Sequence, residues 1–167
     1  MLRIYQVETD RDRDHFRELS WEYLQWANAR LAEEYGIQCD IESMLDETVR
    51  EFDEFLPPFG RLLFAEYKGQ VVGLACMRRI RKDTAEIKRM YVQPAFRRKG
   101  IGRGLLESLV EKAREVGYPR IQLDSTRFMA EAHSLYRSVG FREIEPYPES
   151  EIPEEFRQHW IFMELQL

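Results

Sequence analysis

The sequence predicts an α/β fold in which one mixed central sheet is flanked by helices, with residues 1–167 forming a single domain. Three observations predict it. Strand-like and helix-like periodicities alternate along the chain. A glycine-rich basic turn separates a strand from a helix near residue 100, and no repeat, low-complexity tract or linker divides the sequence. A chain of 167 residues fits one domain, and such a length buries ~70% of its unfolded surface.

Each element has its own signal. Arg3–Glu8 alternates as a first strand. From Thr9 to Glu34, Phe16, Leu19, Tyr23, Leu24, Ala27 and Leu31 recur on one side of a helix. Trp21 and Trp26 fall off that stripe, which leaves two uses open: packing against a neighbouring loop, or walling an acceptor pocket. Ile41–Leu56 carries Met44, Leu45, Val49, Phe52 and Phe55 at helical spacing until Pro57-Pro58 stops it. Arg61–Tyr67, Lys68-Gly69 and Gln70–Ile80 read as a hairpin, and Thr84–Val92 as a further strand. Gly102–Val116 is a helix with a broad apolar face (Leu105, Leu106, Leu109, Val110, Ala113) that Gly117 ends. A strand at Arg120–Ser125, a helix at Met129–Val139 closed by Gly140, and strands at Phe141–Ile144 and His159–Leu167 complete the chain. The acidic, proline-containing run Glu143–Glu155 reads as the loop before the last strand.

Composition excludes several classes. Hydrophobic residues at 44% and charged residues at 33% suit a folded water-soluble protein rather than a disordered one. A net charge of −5 argues against nucleic acid as a partner, because phosphate contacts need surplus Lys and Arg. No apolar run approaches the ~20 residues of a membrane span. Cys39 and Cys76 stand far apart, with no secretory leader at Met1–Val7, so a cytoplasmic location is expected. Three scattered histidines (His15, His133, His159) build no metal site.

The richest stretch is Arg97-Arg98-Lys99-Gly100-Ile101-Gly102-Arg103-Gly104, between a strand and a helix start. Free amides and the helix dipole make such a start an anion site, and glycines let an anion approach the backbone. The four basic residues suit a diphosphate; the plainer reading is a solvated loop capping a helix. A dinucleotide site of Rossmann type competes, since Gly100-x-Gly102 opens a helix and Asp124 ends the next strand. Against it, the third glycine of that fingerprint falls on Leu105, and seven residues separate Val92 from Gly100. A phosphate loop of the Gly-Lys-Ser/Thr type does not occur.

Arg97-x-x-Gly100-x-Gly102 resembles the Gln/Arg-x-x-Gly-x-Gly/Ala element of the GNAT superfamily of acetyl-CoA-dependent N-acetyltransferases. Glu86–Val92 looks like that family's fourth strand, and Ala132-x-x-Leu135-Tyr136-x-x-x-Gly140-Phe141 like its later helix. The resemblance covers residues 85–141. It implies acetyl-CoA as co-substrate, its diphosphate held by Arg97, Arg98, Lys99, Gly100, Ile101, Gly102 and Arg103, and its pantetheine arm beside Met90, Tyr91 and Val92. The backbone around Met90–Val92 would polarise the thioester carbonyl. One departure is Met129, where many members place an asparagine.

The resemblance further implies direct transfer to an amine. Glu86 stands at the interval before Gly100 at which histone-type relatives carry a catalytic glutamate; its other reading is a surface carboxylate paired with Lys88 or Arg89. Tyr136 is the group for the departing thiolate, or else core beside Leu135. A phenol of pKa ~10 protonates a thiolate of pKa ~8.5 only at a cost of about 2 kcal/mol, so a hydrogen bond suffices. His133 reads as a surface or packed residue, and Asp124 as the cap of the following turn. No cysteine falls in either motif, so an acyl-thiol route has no candidate.

The acceptor is expected to be a small cationic or zwitterionic amine. The carboxylates of Glu143–Glu155 would steer it, and Tyr147 would offer an aromatic surface. A homodimer is common in the superfamily. The alternative is a coenzyme-A-binding regulatory module without catalysis.

Overall fold

A computed structural model describes the whole chain, Met1 to Leu167. The elements are β1 (Leu2–Val7), α1 (Arg13–Tyr35), α2 (Ile41–Arg50), β2 (Arg61–Tyr67), β3 (Gln70–Arg81), β4 (Thr84–Val92), α3 (Ile101–Val116), β5 (Arg120–Thr126), α4 (Ala130–Val139), β6 (Arg142–Ile144) and β7 (Trp160–Gln166). Seven strands make one sheet in the order β1-β2-β3-β4-β5-β7-β6. Element order and type follow the periodicities. The main difference is the predicted helix over 41–56, which stops at Arg50 and continues as a 3-10 turn, Phe52–Phe55. Tightening to about three residues per turn brings residues i and i+3 to one side. Phe52 and Phe55 both become fully buried, with ring centroids 5.2 and 5.8 Å from that of Phe16.

The sheet has a helix pair on each face. On one face the apolar stripe of α3 packs Leu105, Leu106 and Leu109, all fully buried, against Ala85, Ile87, Ile121 and Leu123. Gly104 permits that close approach: a Cβ there would lie 2.8 Å from the Ile4 side chain of β1. On the other face α1 and the Phe52–Phe55 turn cover Leu62, Phe64, Leu74 and Cys76. A third cluster under α1, including Leu31, Tyr147, Trp160 and Phe162, anchors the acidic loop to β7.

What positions the site is a parting of two central strands. Every neighbouring pair is antiparallel except β4 and β5, which run parallel from Thr84↔Arg120 to Ile87↔Leu123 and no further. At that point the β3–β4 register steps from Met77↔Ile87 to Cys76↔Arg89, so Lys88 is an extra residue. Such a bulge bends a strand and raises its twist. Beyond it β4 runs on to Val92 and β5 to Thr126 with no strand between them. A wedge opens in the middle of the sheet, and its two backbone edges are free.

Candidate active site

The start of α3 lies at the open end of this wedge. Gly100 caps the helix at φ +80°, and the preceding Arg98 also has a left-handed backbone, at φ +62°. Glycine adopts this conformation freely, whereas Arg98 is held there against its preference. The first amide to enter the helix ladder is that of Gly104, bonded to the Gly100 carbonyl at 3.0 Å. The six amides from Arg98 to Arg103 donate to no protein acceptor. With the helix dipole behind them they form an anion cradle. At Gly102 a Cβ would meet only Leu135, at 3.7 Å, so the fold itself does not demand glycine there.

The cradle forms one end of a cleft of about 580 Å³, bounded by the end of β4, the starts of α3 and α4, and Tyr23, Trp26 and Arg30 of α1. Of the sequence-predicted binding residues, Met90, Tyr91, Val92, Arg97, Arg98, Gly100, Ile101, Gly102 and Arg103 line it. Lys99 does not; it is exposed, with its ammonium 5.8 Å from the Tyr67 ring. Arg97 has no carboxylate partner, so its charge stays on the cleft wall while its contacts fix its position. Its Nε donates to the Val92 carbonyl at 2.9 Å, and its guanidinium sits 4.7 Å from the centre of the Trp26 ring. Arg97 braces the turn against β4 and α1. Arg98 pairs across the cleft with Glu131 at 2.7 Å, both side chains more than 70% exposed, a pair worth at most about 1 kcal/mol. Trp26 therefore walls this cleft, while Trp21 lies in a surface groove between α1 and α2.

A smaller chamber of about 90 Å³ continues inward, sharing Tyr23, Met90 and Met129 with the cleft. It holds Tyr136, which is buried and whose hydroxyl has no hydrogen-bond partner in the protein. Burial, then the neighbouring Tyr23 and Asp124, push that phenol above its ordinary value, so it stays protonated. Met129 caps α4 with no side-chain bond to the helix, its sulfur 3.7 Å from Ser125 Oγ.

Glu86 is placed elsewhere. It is only 2% exposed and is absent from both cleft walls. Arg78 Nε donates to one carboxylate oxygen at 3.2 Å and the Tyr147 hydroxyl to the other at 2.8 Å. Burial raises its pKa against the opposing pull of Arg78 and Tyr147. The expected surface pairing with Lys88 or Arg89 does not form; both cations instead engage Glu151 of the loop. The geometry makes Glu86 a buried anchor for that loop.

The loop differs from expectation in the same way. Tyr147 is buried, edge-on to Phe162 at 5.7 Å, so its ring offers no surface to a cation. Glu149 is bonded to Arg81, and Glu151 to Lys88 and Arg89. These carboxylates are already neutralised and do not form a free anionic funnel. Burial opposes ionisation of Glu151, but Arg89 and Lys88 prevail and hold its carboxyl down to about 2.

Sequence reasoning missed the inner chamber's polar wall: Lys88, Arg89, Asp124 and Glu151. Asp124 does not cap its turn; it accepts from Ser150 Oγ at 2.8 Å. His133 is buried, its Nε2 3.0 Å from Ser125 Oγ.

Residues 10–141 match the model of the Acetyltransferase (GNAT) family. The chain belongs to the GNAT acetyltransferase family. The uncharacterized N-acetyltransferase YjgM of Escherichia coli is 33% identical over 124 residues, 70% of this chain and 72% of that protein. Two solved structures share the GNAT fold with it. The PaiA N-acetyltransferase of Thermoplasma acidophilum in complex with coenzyme A has TM-score 0.69 and 21% identity, covering 100% of this chain and 99% of its own. YncA, a putative acetyltransferase of Salmonella typhimurium with its cofactor acetyl-CoA, has TM-score 0.69 and 22% identity, covering 100% and 94%. As a GNAT acetyltransferase the chain is an enzyme with acetyl-CoA as its co-substrate. No helix is long and apolar enough to cross a membrane.

Proposed function

We propose that this enzyme moves the acetyl group of acetyl-CoA directly to the primary amine of a small cationic or zwitterionic molecule. The observation that carries the donor half is the run of six unpaired amides, Arg98 to Arg103, beside the open edge of β4. Those amides would hold the diphosphate, with Arg98 and Arg103 free to add charge once their exposed partners are displaced. The open edge at Met90–Val92 would pair with the pantetheine arm and direct backbone N–H groups at the thioester carbonyl. Acetyl-CoA supplies an activated acyl group on a leaving thiolate. The unpartnered Tyr136 hydroxyl stands in the chamber to donate a hydrogen bond to that sulfur; its raised pKa argues against complete proton transfer.

Support for the acceptor class comes from the inner chamber. Its ~90 Å³ suits a small group, and its wall carries the Lys88–Arg89–Glu151 ion cluster together with Asp124, which has no cation partner. Such mixed charge matches a zwitterion better than a neutral apolar amine. Two unpaired cysteines, one buried and one half-buried, are compatible with a reducing cytoplasm. The test is release of free coenzyme A thiol with a panel of amino acids, polyamines, arylamines and peptides. Turnover confined to compact charged amines is the expected result. Tight acetyl-CoA binding with no turnover on any amine would favour a regulatory module instead.

A further inference from the structure

We propose that Asp124, at the point where β5 parts from β4, is the base that takes the proton from the acceptor amine. This rests on the acetyl-transfer reading above and assigns a step within it.

Position comes first. The last paired residues of the two strands are Ile87 and Leu123, so Asp124 is the first β5 residue past the parting. It lines the inner chamber together with Tyr136 and Met90. Tyr136 approaches from α4, where it can meet the sulfur; Asp124 can meet the nitrogen. A leaving-group donor and a proton acceptor thus share one small space.

Bonding comes second. Three carboxylates cluster at this end of the sheet, and only one has an oxygen to spare. Glu86 has both oxygens occupied, by Arg78 and Tyr147, and lies behind the wall. Glu151 is held by Lys88 and Arg89 through its two oxygens. Asp124 accepts from Ser150 Oγ through Oδ2, which fixes its rotamer, and its Oδ1 has no partner. No cation pairs with it.

Charge comes third. The groups around Asp124 are Glu86, Lys88 and Arg89 from β4, Tyr147, Ser150 and Glu151 from the loop, Tyr136 from α4 and Tyr23 from α1. Arg78, Lys88 and Arg89 are distributed over Glu51, Glu86 and Glu151, with Glu54 reaching Arg78 from the solvent side. Ionised Asp124 is the surplus negative charge. Burial, then the repulsion of Glu86 and Glu151, push its carboxyl up to about 7 despite the Ser150 bond and the attraction of Lys88. An ordinary carboxylate and an ammonium differ by about six orders of magnitude in acidity; here the gap narrows to about three. A base poised near neutrality is what general-base catalysis favours.

The step balances. The nitrogen lone pair of the neutral amine forms the C–N bond to the acetyl carbon. The C–S bond breaks with its electron pair going to sulfur, beneath the Tyr136 hydroxyl. The surplus N–H proton passes to Asp124 Oδ1 and from there to solvent.

The test compares wild type with Asp124→Asn, which keeps an acceptor for Ser150, and with Glu86→Gln. In wild type, kcat/KM for the best amine of the panel should fall on the acid side with an apparent pKa near 7. Asp124→Asn should lower kcat/KM about 100- to 1,000-fold and abolish that limb, with acetyl-CoA affinity by calorimetry unchanged. Glu86→Gln should retain the limb but move it to lower pH, because a repelling charge is removed. A limb that survives in Asp124→Asn, or a loss under about threefold, overturns the proposal. A second measurement needs no acceptor: the side-chain carboxyl ¹³C resonance missing from Asp124→Asn should titrate near pH 7 in wild type. Titration near 4 overturns the assignment even if acetyl transfer stands; an amine panel without turnover overturns acetyl transfer and leaves this titration as the judge of Asp124.

Discussion

The two halves of the cleft are built from different materials. The half proposed above for acetyl-CoA is backbone: unpaired amides at the start of α3 and a free edge of β4, with Arg97 and Trp26 bracing them. The inner chamber, proposed above for the acceptor, is side chains: Lys88 and Arg89 from β4, Asp124 from β5, Tyr136 from α4 and Glu151 from a loop. A backbone cradle is specified by a short run of sequence, because φ, capping and chain direction are local properties. A side-chain chamber is specified by which strands neighbour one another and where they part. The first half therefore recurs wherever the motif does, while the second is free to change with the acceptor. This is why fold resemblance leaves the acceptor open.

The sharpest way to break the comparison is to put a side chain into the backbone half. Gly102→Glu should abolish acetyl-CoA binding, since it adds bulk and negative charge at the cradle. The chain should still fold, because the new Cβ meets only Leu135 at an ordinary 3.7 Å. Calorimetry on a variant with native circular dichroism checks both statements. Unchanged affinity would mean that the diphosphate lies elsewhere.

That contrast also explains what could be read before the structure. The strand–turn–helix around residues 84–116 was legible because its amphipathic face and its glycines lie within one stretch of chain. The same local logic misplaced individual charges: Glu149 and Glu151 look free in sequence but are consumed by partners from other elements. Asp124 was passed over because nothing near it in sequence reports the parting of β4 from β5. Its hydrogen-bond partner Ser150 is 26 residues away, and Glu151 lies 62 residues from Arg89. Glu86 shows the converse. Its spacing suggested catalysis, yet the structure places it behind the wall with its oxygens taken.

The acceptor half should be the part whose loss costs stability. Arg89 is 5% exposed along its side chain and is bonded to Glu151, the Lys88 carbonyl and Thr48. Arg89→Ala should destabilise the fold by about 2 kcal/mol, less than for a fully buried pair, since Glu151 is partly exposed and Lys88 still serves it. Urea denaturation measures it. The pH dependence has a definite sign. The Glu151 carboxyl is depressed in the folded state, so its contribution is present above the ordinary value of ~4.3 and lost as pH falls toward 2. Solvent screens part of this, because the Glu151 side chain is 34% exposed. Wild type should therefore lose more stability than Arg89→Ala between about pH 5 and pH 2.5. Equal losses would show that the pair contributes nothing to the fold.

Tyr136 tests the chemistry where the two halves meet. Tyr136→Phe keeps the ring packed against Phe141, 5.6 Å away, and removes only a hydroxyl with no protein partner. Stability should stay within about 0.5 kcal/mol, because no internal hydrogen bond is broken. If the hydroxyl serves the departing sulfur, kcat should fall roughly 10- to 100-fold, about 1.4–2.7 kcal/mol of transition-state stabilisation, with acetyl-CoA affinity near wild type. Equal turnover by the two proteins would return Tyr136 to packing alone.

The smallest effect is expected from the exposed carboxylates of the loop, and here the structure revises the steering idea. Glu149 and Glu151 cannot test it, because reversing their charge would break their bonds to Arg81, Lys88 and Arg89 and disturb the chamber wall. Glu143, Glu145, Glu154 and Glu155 are exposed and make no ion pair, so their field is all they contribute. At 0.15 M salt the screening length is about 8 Å, which confines that field to the immediate surface. Reversing Glu154 and Glu155 together to Lys should raise KM for a cationic amine by no more than about threefold at low salt, and not at all at physiological salt. KM for acetyl-CoA should not change. A salt-independent increase would point to direct contact between this turn and the acceptor, and would extend the side-chain half of the cleft out to the loop.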